Sequence, residues 1–376
     1  PFLTGVGVAF KLVQGLFSKE EKLKALGLAK GWEKWLLDLV SIGTVADCQE
    51  LTSENRLLVH FGLKVMGKTR WSGLKALIET AGCSGRLDTY SIGFMIAPRI
   101  NAAGRIKHAD LAFKLLVTED PAEAFKMANE LNDLNRHRQM LTDQILSEAR
   151  AQLELLTDRK ILMAAGLNWP KGVVGLVAGR LAEEFNRPVL VLDKSEEFAT
   201  GSGRSVSSFD LVSALNFSKD LLLKYGGHKQ AAGFTLSVQN VDLFYKRLLE
   251  HADAVNLIQS DPELHIDSEL SADEIGEENF DLIEKLGPFG FGNPRPKFVS
   301  YGLKLLDSLQ VGSQRQHAKL RIEYGGKAFS AIAFNQPFLS ANLSNKPFDA
   351  AFELSQNEWN GQRQIELKII DTKIHG

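Results

Sequence analysis

The chain has 376 residues, 44% hydrophobic and 24% charged, which fits a soluble globular protein with apolar surface for two or three cores. A formal net charge of −2 excludes a global polycation, so any nucleic-acid site has to be a local basic patch. Two cysteines, Cys48 and Cys83, are too few for a disulfide framework or a cysteine zinc site, and no apolar run approaches the ~20 residues that span a bilayer; a cytoplasmic location is expected.

The chain opens at Pro1 directly into apolar sequence (Phe2, Leu3, Val6, Val8, Phe10), as a cut inside a domain would. Residues 1–117 read as mixed helix and turn. Within them Leu36–Gly43 is short, apolar and partly β-branched, a buried segment ending at a turn, with Asp47 placed to present a carboxylate at a sheet edge. Residues 121–156 read as one long helix. Asp120 is its N-cap, Pro121 suits the first position and Glu123 the capping box, while Phe125, Ala128, Leu131, Leu134, Leu141, Ile145, Ala149, Leu153 and Leu156 recur at helical spacing. It either joins two lobes or lies on the surface of one domain.

Residues 160–250 read as α/β. A strand from Lys160 to Ala165, a helix from Gly172 to Phe185 and a strand from Pro188 to Leu192 form a strand–helix–strand unit, which implies parallel pairing. Glycine-rich loops are expected at 201–205 and 226–233. Beyond residue 256, alternation at Leu320, Ile322 and Tyr324, a Gly325-Gly326 turn, a strand through Ala331 and Ala333, an Asn360-Gly361 hairpin and alternation at Ile365, Leu367 and Ile369 indicate a small all-β domain, a five-stranded barrel of the OB type. The fold class is thus α/β plus all-β.

Four segments combine glycines with polar groups. Gly43-Thr44-Val45-Ala46-Asp47 offers a carboxylate of the kind hard divalent cations take; a lone Asp in a loop is more often a helix cap or turn residue. Ala97-Pro98-Arg99-Ile100-Asn101-Ala102-Ala103-Gly104-Arg105 places two guanidiniums and an amide among small residues, suited to phosphate oxygens or to a tight helix contact. Gly201-Ser202-Gly203-Arg204-Ser205 offers backbone N–H groups, hydroxyls and a guanidinium to a terminal phosphate, or is a plain turn. Gly226-Gly227-His228-Lys229-Gln230-Ala231-Ala232-Gly233 sets a histidine where it could meet a scissile phosphate or cap a helix. No metal cluster is complete: there is no Asp-x-Asp and no His-x-x-x-His, and the 8 histidines are scattered. No strained Ser nucleophile and no Gly-Lys-Ser or Gly-Lys-Thr phosphate loop is read.

In this order the segments resemble the RecJ family of single-strand-specific exonucleases, within the DHH phosphoesterase superfamily. Gly5–Phe10, Gly172–Ala178 and Gly287-Pro288-Phe289-Gly290-Phe291-Gly292-Asn293-Pro294 add to the match, which runs along nearly the whole chain. The resemblance implies the remainder of a DHH catalytic domain over 1–117, a connecting helix over 118–156, a DHH-associated α/β domain over 157–252 and an OB domain over 253–376. It implies a hydrolase that digests single-stranded DNA from the 5′ end to mononucleotides, in DNA repair and recombination, with two Mn²⁺ or Mg²⁺ ions activating the attacking water. Asp47 corresponds to a metal-ligand aspartate and, with His228, to the catalytic set. Ser202, Gly203 and Arg204 correspond to the 5′-phosphate grip, Gly226 and Gly227 to the loop bearing the histidine, and Arg99, Asn101 and Arg105 to the cleft lining.

The OB domain would hold the strand by a basic groove and aromatics; Phe289, Phe291 and Trp359 are candidates, with buried core as the alternative. A helicase or a single-strand-binding protein is an implied partner, and the family resemblance implies a monomer with no membrane attachment. By the same resemblance, the Asp-x-Asp-x-Asp-Gly, further Asp and Asp-His-His metal motifs would precede Pro1, so this polypeptide alone is expected to be inactive. Trp169 is followed by Pro170 where the family usually has His; proline has no side-chain donor, so the interaction made by that His would be missing or supplied by Lys171. Two other classes fit in part: a DHH phosphodiesterase of short oligonucleotides or cyclic dinucleotides, and a catalytically degenerate RecJ-like nucleic-acid-binding scaffold.

Overall fold

The structure is a computed structural model that describes residues 3–19, 27–106, 108–156, 158–258, 263–337, 339, 343, 346–359 and 362–374. By compactness the chain divides into two units, residues 1–68 with 263–376 and residues 69–262.

In the first unit, helix α1 (Gly5–Phe17) starts at Thr4, whose hydroxyl accepts from Gly7 N. Helices α2 (Leu37–Ala46) and α3 (Ser53–Met66) follow. Phe10, Val40 and Leu58 knit the three together. The contacts are close enough to require glycine: a Cβ on Gly43 would lie 2.4 Å from Val6 Cγ1, and one on Gly62 would lie 2.3 Å from Leu37 O. The apolar Leu36–Gly43 run is therefore a buried helix. Its β-branched residues pack between neighbouring helices, so Asp47 follows a helix end and not a sheet edge.

The β half of this unit is a closed barrel. Strands β7 (Phe298–Val311), β8 (His317–Tyr324), β9 (Lys327–Ala333), β10 (Phe348–Trp359) and β11 (Gln362–Ile374) are ordered β7-β8-β9-β11-β10, and β10 closes onto β7. The β9–β11 pair is parallel and the other barrel pairs are antiparallel, which is the OB topology expected from the alternating pattern. Inward residues (Leu303, Leu320, Ile322, Ala331, Ala333, Phe348, Phe352, Leu354, Leu367, Ile369) fill the interior. A short strand β6 (Ser268–Glu269) extends the edge beside β7, and helix α11 (Glu277–Glu284) packs Phe280 on the barrel. The expected Asn360-Gly361 turn lies outside the described residues; Trp359 and Gln362 pair across it.

The second unit begins with helices α4 (Ser72–Thr80), α5 (Ala97–Ile106) and α6 (Asp110–Val117), with a π-helical stretch at Ser91–Ile96 leading into α5. Helix α7 (Pro121–Leu153) is capped as its sequence dictates, Asp120 Oδ1 accepting from Ala122 N at 2.8 Å and Glu123 N at 3.5 Å. Asn132, toward its N-terminal half, bonds α5, while Ile145, Ala149 and Leu153 enter the core of the α/β layer.

That layer is a five-stranded sheet ordered β1-β2-β3-β5-β4, with β1 (Leu162–Leu167), β2 (Val189–Lys194), β3 (Phe198–Arg204), β4 (Leu222–His228) and β5 (Ala231–Ser237). The β1–β2 pair is parallel across helix α8 (Lys171–Phe185), as the strand–helix–strand pattern requires, and the remaining pairs are antiparallel. Val189 and Val191 face α7 and α8, while Leu190 and Leu192 face helices α9 (Leu211–Phe217) and α10 (Val241–Ala254). A continuous apolar run is what a strand covered on both faces needs.

Candidate functional site

The segment 201–204 is strand, not loop. β3 is flanked by β2 and β5, so both of its edges are hydrogen-bonded. Its glycines serve packing: a Cβ on Gly201 would lie 2.4 Å from Phe234 Cζ, and one on Gly203 2.6 Å from Leu211 Cδ2. Because strand side chains alternate, Ser202 and Arg204 point to the opposite face, toward α8. There Gly175 leaves room that a Cβ would fill, 3.0 Å from Ser202 Oγ and 3.4 Å from Arg204 Nη2. Arg204 donates from Nη1 to Ser202 Oγ at 3.1 Å and to Gly203 O at 3.0 Å. Gly203 is itself buried; the polar atoms presented to α8 belong to its two neighbours.

The second glycine segment is also largely strand. Gly226, Gly227 and His228 end β4, Lys229-Gln230 is the turn, and Ala231 opens β5. Gly227 has φ +151°, and a Cβ on it would lie 2.3 Å from Ala231 O, so only glycine fits. The turn is fastened from its carbonyls: Leu211 N donates to Lys229 O and Ser205 N to Gln230 O, both at 2.9 Å. His228 is therefore carried, exposed, at the tip of a tight hairpin.

Helix α5 distributes its polar residues unequally. Arg99 is half-buried, donating Nε to Asn132 Oδ1 at 3.1 Å and Nη1 to Met95 O, and burial lowers its pKa. Asn101 is exposed. Arg105, one turn beyond Asn101, donates Nη1 to Gly172 O at 3.0 Å, at the N-terminal turn of α8. A Cβ on Gly172 would lie 2.3 Å from Arg105 O, so glycine lets the two helices meet there.

These residues gather a positive group. Burial first, then the charge of Arg105, pulls the Arg204 pKa below its ordinary value. Burial first, then Arg105 and Arg180, does the same to Arg138 on α7, with Asp143 opposing. Arg180 on α8 bonds Asp143 at 2.8 Å. Arg138 Nε is buried and has no hydrogen-bond partner among the described residues. Half-buried guanidiniums that disfavour one another are relieved by an anion, and guanidiniums with a hydroxyl and a helix N-terminus suit a phosphate. Arg138 and Arg180 were missed in the sequence because a charged residue on a long helix looks like any solvated one.

Asp47 lies in the other unit, at the C-terminal end of α2, its N–H donating to Gly43 O at 3.1 Å. Its carboxylate is exposed. The helix dipole makes this end unfavourable for an anion and favourable for a cation, so the group fits as one oxygen ligand of a hard divalent ion. Among the described residues no three His, Cys, Asp or Glu side chains gather as a metal site, so Asp47 by itself does not make a metal centre.

The remaining sequence readings resolve as follows. Trp169 is buried, donating Nε1 to Glu148 Oε2 at 3.1 Å, and Pro170 accepts from Val173 N at 2.8 Å at the start of α8. Phe289 lies half-buried beneath Arg295, 4.4 Å from guanidinium carbon to ring centroid, and Phe291 is 65% exposed, so neither is core. The side chain of Trp359 lies outside the described residues. Residues 62–69 do match the spacing Gly-x-x-x-x-Gly-Lys-Thr, contrary to the sequence reading. They form the end of α3, with Gly62 packed on Leu37, and make no phosphate loop. Among the described residues no helix is long and apolar enough to cross a membrane.

Comparison with known proteins agrees with this layout. The RecJ OB domain model matches residues 266–371 and the DHHA1 domain model residues 158–253. The single-stranded-DNA-specific exonuclease RecJ of Bacillus subtilis is 35% identical over 99% of this chain and 47% of its own length. That of Escherichia coli K12 is 34% identical over 98% of this chain and 67% of its own. The crystal structure of RecJ in complex with Mg²⁺ from Thermus thermophilus superposes with TM-score 0.85 at 32% identity, over 99% of this chain and 56% of that one. The Mn²⁺ complex from the same organism gives 0.84 at 32% identity, over 98% of this chain and 53% of that one. The chain thus spans about half to two thirds of the length of these relatives. With this identity sustained over nearly all of its residues, and two thirds of the Escherichia coli relative covered, the chain belongs to the RecJ family.

Proposed function

We propose that the chain is the larger part of a single-stranded-DNA-specific 5′→3′ exonuclease that releases 5′-mononucleotides, acting in DNA repair and recombination as a cytoplasmic monomer. The observation that carries the reading is the group formed by Arg105, Arg138, Ser202 and Arg204, with a buried Arg138 Nε that has no protein acceptor among the described residues. Backbone phosphates of a strand supply the missing acceptors, and a 5′-terminal phosphate supplies the most. The proposed domain limits remain 1–117, 118–156, 157–252 and 253–376.

In this mechanism Ser202 and Arg204 grip the terminal phosphate and Arg105 neutralises its neighbour. His228, exposed at its hairpin tip, donates a hydrogen bond to the phosphodiester being cut, stabilising charge as it develops. Asp47 contributes one ligand to a Mn²⁺ or Mg²⁺ ion, whose chemistry is to activate water and stabilise the leaving oxygen. Arg99, bonded to Asn132 and Met95, shapes the wall that Asn101 presents. Gly226 and Gly227 hold His228 in place, and Gly203 lets β3 pack.

The test is hydrolysis of 5′-phosphorylated oligonucleotides, single-stranded and duplex, by the full-length protein with Mn²⁺. Mononucleotides released from the 5′ end of the single strand only are expected. Residues 1–376 alone are expected to bind the strand without useful turnover. Equal digestion of duplex, or release from the 3′ end, refutes the assignment, and binding without hydrolysis by the full-length protein favours a scaffold. Pull-down with a helicase or a single-strand-binding protein tests the proposed partners.

A further inference from the structure

Asp47 stands at the head of a strained connection. Cys48, just after α2, and Ser53, the first residue of α3, neither of them glycine, have φ of 51° and 45°. Left-handed backbone at such residues costs about 1 kcal/mol each and persists where surrounding contacts fix it. Between the two, Glu50 and Leu51 are held by residues 285–294, the segment that leads from α11 into the barrel. Leu51 N donates to Phe291 O at 2.7 Å. A Cβ on Gly290 would lie 2.7 Å from Leu51 Cδ1, and one on Gly292 (φ +72°) would lie 2.8 Å from Glu50 Cβ, so the two backbones meet face to face. Leu51 is 2% exposed.

Arg56, in the first turns of α3, closes the contact. Its Nη2 donates to Leu286 O at 2.7 Å, Gly287 O at 3.2 Å and Lys285 O at 3.3 Å. These carbonyls follow the end of α11 and have no helical partner ahead of them, so a guanidinium is a favourable cap. The segment it grips is stiff in itself. Asn293 Nδ2 donates to Leu286 O at 3.0 Å and Pro288 O at 2.9 Å, and Arg295 pairs with Glu284 at 2.7 Å.

We propose that Arg56 and the 285–294 segment form a clamp that fixes the α2–α3 connection, making Arg56 a positioning residue for the Asp47 carboxylate. Gly290 and Gly292 then serve close docking against Leu51 and Glu50. The proposal rests on the reading of Asp47 as a metal ligand.

It is tested in the full-length protein with Arg56→Ala, Arg56→Lys, Gly292→Ala and Asp47→Asn. Mn²⁺ binding is measured by calorimetry without DNA, amide exchange at residues 48–51 by mass spectrometry, and hydrolysis by KM and kcat. Arg56→Ala is expected to speed exchange at Leu51 and weaken Mn²⁺ binding about tenfold, the scale at which supporting residues act on metal ligands. KM for the strand should stay unchanged, and Arg56→Lys should recover part of the loss. Should Arg56→Ala fail to fold, Gly292→Ala, which presses on Glu50 from the other side, is read by the same criteria. Faster exchange with unchanged Mn²⁺ affinity, alongside an Asp47→Asn protein that no longer binds the ion, overturns the positioning role of Arg56 and leaves the ligand reading of Asp47 standing. Wild-type Mn²⁺ affinity in Asp47→Asn overturns the ligand reading, and this one with it.

Discussion

Replacing Arg204 by alanine distinguishes a charge kept for the fold from one kept for a ligand. In the free protein its guanidinium makes hydrogen bonds to Ser202 Oγ and Gly203 O. Each is worth about 1 kcal/mol net. Against that, the variant removes a half-buried cation whose pKa is lowered by burial and then by Arg105. The two effects oppose each other, so global stability should change by no more than about 1 kcal/mol, or roughly 2–4 °C in Tm. If Arg204 grips the terminal phosphate as proposed, on a 5′-phosphorylated strand the same deletion should remove charge-assisted bonds worth about 1.5–3 kcal/mol, roughly tenfold to a hundredfold in kcat/KM. The assay is kcat/KM on matched oligonucleotides ending in 5′-phosphate and 5′-hydroxyl, with a melting curve for each protein. The loss should fall on the phosphorylated strand. Equal loss on both ends, or a large fall in Tm, would show that Arg204 holds the sheet and not a terminal phosphate.

Three further outcomes are expected. Arg138→Ala should weaken single-strand binding and reduce the slope of log K against log salt by about 0.7, the amount for one phosphate contact; an unchanged slope removes Arg138 from the path of the strand. Gly227→Ala should cost at least about 2 kcal/mol, since φ +151° and a contact at 2.3 Å leave no space for a Cβ; a wild-type urea midpoint contradicts the hairpin geometry. His251 packs against Phe209 and Phe217, and burial holds its pKa below the ordinary 6.5 while Asp210 opposes. The native state then binds fewer protons than the unfolded one, so this contribution is present above pH 6.5 and lost as pH falls through the unfolded value toward the depressed native one. Urea melts at pH 7.5 and about 5 should show it, and His251→Phe should flatten the slope; the same slope in the variant refutes the assignment.

Elements whose local signals agreed were legible from the sequence. Asp120 and Pro121 fix the start of α7, and alternation at Leu320, Ile322, Ile365, Leu367 and Ile369 gives barrel strands. Where small residues fill a strand, the signal inverts. Gly201 and Gly203 look like turn chemistry, yet they are glycine because Phe234 and Leu211 occupy the space of a side chain. Val40 and Ile42 are β-branched, which in a short apolar run points to a strand with Asp47 at its edge; burial between α1 and α3 overrides that weak preference. Nothing local in residues 287–294 reveals that Leu51 and Glu50 pack against Gly290 and Gly292. The arginines of α7 and α8 have no motif at all, and only tertiary packing shows Arg138 lying near Arg105 and Arg180.

The alternation along β3 leaves its reading frame without slack. One residue inserted or deleted between Phe198 and Gly201 would rotate every later side chain to the opposite face. A guanidinium and a hydroxyl would be driven against Phe234 and Leu211, and two bare glycines would be turned toward α8. An insertion of two residues would restore the facing but displace Arg204 by about 7 Å along the strand. Evolution at this strand is thereby confined to substitution, and length variation has to fall in the connections on either side of it.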